Sequence, residues 1–298
     1  YNFMPVLDWS RTGLTIYNKD GSYTSGFRLD RFAAFDLFVL ERAGAAEDYP
    51  EEIIEKARSY YQELSADEKE ELRATILYGL PGSMEEYSLE EFSAMLVSYA
   101  DMDRKKLKAH LSAFLGEIIP EAEARGIRMA IHPDDPPWNL LGLPRIAGSV
   151  EDLQEIISMH PSSSNGITLC SGSLGAGHFN DLPTIAEDLA EHIYFLHLRN
   201  VVRDTSLNFQ EESLFEGDVD VIRLVQVLLR EGQRRRSAGE DVRLPLRPDH
   251  GHQMLEDLGQ ENYPGYSLYG RMKNLAEIKG LVTGLQAGMA EPEKSQEH

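Results

Sequence analysis

Four residues of metal-ligand type stand in equivalent places along the chain. His132, Cys170, His197 and Asp249 each follow a short apolar run, in RMAIH, GITLC, IYFLH and VRLPLRPD. Singly, each has a plainer reading. A lone Cys in an apolar strand is usually a small core hydrophobe, His197 after IYFL could be a hydrogen-bonded core histidine, and His132 and Asp249 could cap the turn-rich HPDDPP and RPDHGH stretches. Packing alone rarely repeats the same chemistry at the ends of four consecutive strands, so the joint pattern points to one metal ion. Two imidazoles, a thiolate and a carboxylate form a donor set of intermediate softness, compatible with Mn2+, Fe2+, Co2+ or Zn2+. Four protein ligands would close a tetrahedral zinc site, whereas a six-coordinate ion keeps positions for substrate oxygens. Catalysis therefore favours Mn2+ or Fe2+.

Such a site needs parallel strands, whose carboxyl ends lie side by side about 5 Å apart. Five strands are predicted, at residues 1–6, 127–133, 166–172, 193–200 and 242–250, each apolar first and polar at its end. Helical patterns fill the gaps at about 50–63, 67–76, 88–99, 103–125, 149–159, 182–190, 218–235 and 270–282. Ser88 and Glu91 have the spacing of a capping box. Strands alternating with helices predict an α/β fold with a parallel sheet, and 298 residues suit one barrel domain spanning the whole chain. The charged end, residues 289–298, reads as a frayed tail.

The net charge of −21 and the short basic run Arg234 to Arg236 exclude a nucleic-acid partner, since no basic stripe exists to release counterions. Acidic runs such as residues 51–52, 68–71 and 85–86 lie on helix-like patterns and read as solvated faces. No apolar run is long enough for a membrane span. A single cysteine excludes an internal disulfide and fits a reducing compartment, the cytoplasm.

The ligand residues sit inside longer strings: YNFMPVLDWSRT, FAAFDLFVL, HPDDPPWNLLGLPRI, LCSGSLGAGHFNDLP, HLRNV, GDVD, RPDHGH and PGYSLYGRMKNLAEIKGL. In this order and spacing the chain resembles the mannonate dehydratase family over essentially its whole length. The resemblance implies a (β/α)8 TIM barrel of the xylose-isomerase-like group, dependence on Mn2+ or Fe2+, and dehydration of D-mannonate to 2-dehydro-3-deoxy-D-gluconate in hexuronate catabolism. It also implies a homodimer. His132, Cys170, His197 and Asp249 become the metal ligands, and His250 and Tyr266 the proton-transfer pair. YNFMPV is not the family's first strand, so about three N-terminal βα units are expected to be absent, leaving an exposed strand edge. Family members often carry His at the position of Leu214, which leaves the substrate-loop contacts there open, and Ser171 stands for the commoner Thr.

The implied reaction explains the site. Removing the C2 proton beside a carboxylate develops an enediolate, which a divalent ion stabilises. The 3-hydroxyl leaves only if a general acid protonates it. Tyr266 is expected as the C2 base and His250 as the acid. Arg11, Arg199, Asn200 and Arg247 are candidates for charge-assisted bonds to the sugar acid, each with an acidic neighbour or local partner as the plainer alternative. Asp134 and Asp135 could orient the ligand histidines or simply end their strand. Two other functions remain open: a metal-dependent sugar isomerase or epimerase of the same barrel group, and a non-catalytic barrel that binds a sugar acid.

Overall fold

The computed structural model of the chain describes residues 1–78, 87–260 and 262–289. The acidic pair at 85–86 lies outside them, as does the expected tail beyond residue 289. Strands β1 (Gly13–Tyr17) and β2 (Tyr23–Phe27) come first, then α1 (Leu29–Ala34), α2 (Glu51–Glu63), α3 (Ala66–Leu77), α4 (Leu89–Ser98) and α5 (Arg104–Ala124). Next are β3 (Met129–Ile131), α6 (Val150–Met159), β4 (Asn165–Cys170), α7 (Ser171–Ala176), α8 (Leu182–Leu189) and β5 (Ile193–Leu198). The chain continues through β6 (Asn200–Arg203), β7 (Phe209–Glu212), α9 (Val221–Ala238), β8 (Leu246–Pro248) and α10 (Leu268–Met289).

Two sheets organise these elements. The parallel sheet runs β3-β4-β5-β8 and contains four of the five predicted strands. The fifth prediction fails in part: residues 1–6 form no strand, and only Tyr1 bonds to the edge of β3, through Ala130 O and His132 N at 2.8 Å each. A parallel sheet is therefore present, while the described strands form an open sheet rather than a closed eight-stranded ring.

The second sheet is antiparallel, in the order β1-β2-β7-β6, and was not predicted. Its strands are short, and the alternating QEE of β7 carries almost no apolar signal. Segment 193–200, predicted as one strand, divides at Arg199 into β5 of the parallel sheet and β6 of the antiparallel one. The two sheets thus meet at the end of β5.

Local signals explain the helices. Ser88 and Glu91 form the predicted capping box, and Ser65 with Glu68 forms a second. Asp220 caps α9, which therefore starts three residues later than predicted and ends at Gly239, whose φ of 71° suits glycine. On α5, Leu107, Leu111, Leu115 and Ile119 recur every four residues and bury one stripe against the parallel sheet, packing with Ile131, Ile167 and Leu169. Each such side chain contributes about 1.5–3 kcal/mol. A second apolar cluster, with Phe27, Phe32, Phe35, Phe92 and Phe209, fills the space between the antiparallel sheet and α1 to α4. Among the described residues no helix is long and apolar enough to cross a membrane.

Candidate metal centre and active site

Strand register places the ligand-type residues. Cys170 pairs with His197 across β4 and β5. His132 follows Ile131, which pairs with Ile167, and Asp249 follows Pro248, which pairs with Leu198. His132 Nε2 consequently lies 3.1 Å from His197 Nδ1, and that nitrogen lies 3.5 Å from Asp249 Oδ1. Cys170 Sγ is 3.7 Å from Asp249 Oδ2. The donor atoms of His132, Cys170 and His197 all fall within 4.8 Å of one another. Ligands bonded to one small divalent ion at about 2.0–2.3 Å stand about 3–3.7 Å apart, so the spacing fits a single ion.

The hydrogen bonds agree with that use. His132 Nδ1 lies 2.7 Å from the carbonyl of Pro133, which only accepts, so Nδ1 carries the hydrogen and Nε2 is left as the donor to a metal. Burial opposes a Cys170 thiolate, but the Arg199 guanidinium, with the His132 and His197 rings alongside, holds the thiol well below its usual range. Burial likewise opposes the Asp249 carboxylate, and His250, Arg199, His197 and His132 overcome it, keeping Asp249 ionised. For His132, burial disfavours the charged ring, and the Cys170 sulfur and the nearby carboxylates reverse the effect.

Beneath these ligand-type residues lies a buried ionic network. Arg11 donates to Asp135 Oδ1 and Glu211 Oε1, both at 2.8 Å. Arg199 donates to Asp249 Oδ2 at 3.0 Å and Glu211 Oε1 at 2.9 Å, and also to Asp135. Gly172 makes room for Arg199: a Cβ there would come within 2.5 Å of its Cγ and Nη1. Two buried guanidiniums thus face three carboxylates and one thiolate, leaving two negative charges that a divalent cation would balance. Arg247, which bonds Asp249 Oδ1 at 2.7 Å, sits half in solvent at the rim.

Above the ligand-type residues opens a cavity of about 220 Å³ lined by Asn2, Asp8, Trp9, His132, Asp135, His197, Arg247, Asp249, His250 and Tyr266. Gly265, at φ 81°, turns the chain so that Tyr266 stacks edge-on against His250 with ring centroids 5.3 Å apart. Burial, followed by the Asp249 charge, raises the Tyr266 phenol above its usual range, so it keeps its proton at neutral pH.

The candidate residues divide by position. His132, His197, Asp249, His250, Tyr266 and Arg247 all face the cavity, and Cys170 lies buried directly beneath it. Arg11 and Arg199 are buried in the ionic network, the plainer of their two readings. Asn200 is committed to the backbone: its amide donates to Leu214 O and Val219 O at 2.8 and 2.9 Å, and its oxygen accepts from Val201 and Val219. No donor or acceptor of Asn200 remains for a substrate. Asp134 accepts from Ala147 N at 2.8 Å, and Asp135 binds the two arginines, so neither orients His132. Leu214 is fully buried. Sequence reasoning did not single out Asn2, Asp8, Trp9 or Glu211, because no periodicity marks them; Asn2, Asp8 and Trp9 stood only inside the string YNFMPVLDWSRT.

The family model for D-mannonate dehydratase (UxuA) matches residues 1–291. The chain belongs to the D-mannonate dehydratase family. The mannonate dehydratase of Marinomonas sp. (strain MWYL1) is 46% identical over 288 residues, covering 96% of this chain and 74% of that protein. That of Rhizobium meliloti (strain 1021) is 45% identical over 289 residues, covering 96% and 72%. The crystal structure of mannonate dehydratase from Streptococcus suis serotype 2 superposes with a TM-score of 0.70 at 28% identity, over 100% of this chain and 70% of that one. Against this family the strand-end cluster and the rings beside it are a candidate active site rather than a structural metal site.

Proposed function

We infer that the chain is a hydro-lyase that dehydrates D-mannonate to 2-dehydro-3-deoxy-D-gluconate and water. The observation that carries the site assignment is the convergence of His132, Cys170, His197 and Asp249 directly beside His250 and Tyr266, in a chain of this family. We read the parallel strands as belonging to a (β/α)8 barrel, a reading supported by strand-end side chains that all gather at one face.

His132, Cys170, His197 and Asp249 would hold Mn2+ or Fe2+. When bound, such an ion supplies electrophilic stabilisation of negative charge next to the substrate carboxylate. Arg247 at the rim offers a guanidinium to that carboxylate. His250 and Tyr266 move the protons. We assign His250 as the base at C2 and Tyr266 as the acid at the 3-hydroxyl, the reverse of the expectation from sequence. The buried, raised phenol is a proton donor at neutral pH, while His250 has Nδ1 engaged by Glu211 at 2.7 Å, which leaves Nε2 to accept. Trp9 packs edge-on against His250 with centroids 6.2 Å apart and shields the ring from water. The lone thiol also supports a reducing compartment, because oxidation of Cys170 would remove a ligand.

The test is turnover by protein purified without chelator, with the bound metal analysed and Mn2+ or Fe2+ restored. D-Mannonate should yield a 2-keto-3-deoxy acid, and ketoses should not isomerise. Isomerisation without dehydration would replace this reading with that of an isomerase.

A further inference from the structure

Glu211 lies on β7 of the antiparallel sheet and does not line the cavity, yet it reaches the chemistry through one atom. Its Oε1 is 2.7 Å from His250 Nδ1 and also accepts from Arg11 Nη2 at 2.8 Å and Arg199 Nη1 at 2.9 Å. Two guanidiniums on one oxygen keep the carboxylate ionised despite burial. An ionised oxygen only accepts, so the hydrogen on the ring must sit on Nδ1, and Nε2 is the nitrogen that exchanges a proton. Trp9 and Tyr266 meet the ring edge-on, Gly265 lies against it, and the Asp249 carboxylate stays 4.0 Å from Nε2, so the bond at Nδ1 is the closest polar contact that orients the ring.

We propose that Glu211 is a positioning residue for the dehydration, fixing the tautomer and ring plane of His250 from the antiparallel sheet. The proposal rests on the reading of His250 as a proton-transfer group. It differs from a plain counter-ion role for Glu211, because Asp135 already binds both Arg11 and Arg199. A counter-ion needs only charge, whereas a positioning group needs reach.

Glu211→Asp separates the two, since it keeps the charge and withdraws the carboxylate by one methylene. With D-mannonate and Mn2+, kcat should fall about 10- to 100-fold, while KM and bound Mn2+ change less than about twofold. Glu211→Gln should lower kcat by a similar factor. In a His250→Asn background, either change should cost no more than about twofold further, because the group being positioned is gone. Wild-type kcat in Glu211→Asp, or losses that multiply in the double variant, would overturn the proposal. If Glu211→Gln does not fold, the charge-conserving Glu211→Asp still decides. If His250→Asn alone keeps wild-type kcat, the proton-transfer reading falls, and the positioning role falls with it.

Discussion

Replacing Cys170 by Ser exchanges one fully buried atom and tests the thiolate directly. The side chain lies with Sγ 3.1 Å from Ser173 Oγ and 3.7 Å from Asp249 Oδ2, so a hydroxyl fits the same space and keeps a hydrogen bond. The cost to the metal-free fold should be about 1 kcal/mol or less, which for a chain of 298 residues is about 2 °C or less in Tm. The cost to metal binding should be much larger. A serine hydroxyl stays neutral beside Arg199, so the site loses one of the two negative charges left over to balance the ion. Changing residues that merely support ligands costs about 10- to 100-fold in affinity, and removing a ligand should exceed that, giving at least about 3 kcal/mol. Titration with Mn2+ in a chelator buffer, read by calorimetry and by metal content after dialysis, measures the difference. Activity at limiting Mn2+ should fall with occupancy and recover partly at high Mn2+. Wild-type affinity in Cys170→Ser would show that the sulfur is only a core atom.

Tyr266→Phe should lower kcat by about 10²-fold or more with metal content unchanged, while exchange of the C2 hydrogen with solvent deuterium persists; His250→Asn should abolish that exchange, and the opposite pattern would return the base role to Tyr266. Asn200→Ala should leave backbone groups at Leu214 and Val219 without their partner and destabilise the fold by about 1–3 kcal/mol with KM for D-mannonate unchanged; a tenfold rise in KM at unchanged Tm would instead make Asn200 a substrate contact. The Glu211 carboxyl is lowered from 4.5 to about 2 by Arg199, His250 and Arg11 acting against burial. A group depressed on folding contributes above its unfolded pKa, so stability should hold above pH 4.5 and fall by an amount on the order of 3 kcal/mol towards pH 2. Urea midpoints of the metal-free protein measure this, and an equal acid slope in Glu211→Gln would assign the loss to other carboxylates.

The parallel half of the fold was legible because its signals are local. GITLC and IYFLHL are apolar enough to be core strands, and the ligand-type residue at or next to the end of each, Cys170 and His197, is one that the structure brings into the strand-end cluster. The helices announced themselves through four-residue spacing, as on α5, and through caps such as Ser88. The antiparallel sheet was not legible: β7 reads FQEE, and its Glu211 points into a buried ionic network where charge, not apolarity, is the packing material. Arg11 and Arg199 were ambiguous for the same reason. A sequence shows that a charge is present but not which carboxylate, 124 or 200 residues away, will meet it. Asn200 was ambiguous in the same way: it follows His197 and Arg199 in sequence, but its own amide fastens the loop that carries Leu214 and Val219.

The ionic network also constrains how the molecule can be reached from an unfolded chain. Arg11 comes from the stretch before β1, Asp135 from the turn after β3, Glu211 from β7 and Asp249 from the end of β8. Any subset of these charges buried without the rest costs several kcal/mol, so a chain with the parallel sheet assembled and the antiparallel sheet undocked gains little by excluding water from the site. Closure of the network is therefore a late, cooperative event that, apart from the Arg199–Glu211 pair, joins partners 50 to 200 residues apart, and contacts of that range slow folding. The thiolate and carboxylate reach the field that keeps them ionised only at that step. Ion capture in a refolding chain should accordingly follow the docking of the two sheets, making retention of metal a readout of completed tertiary structure.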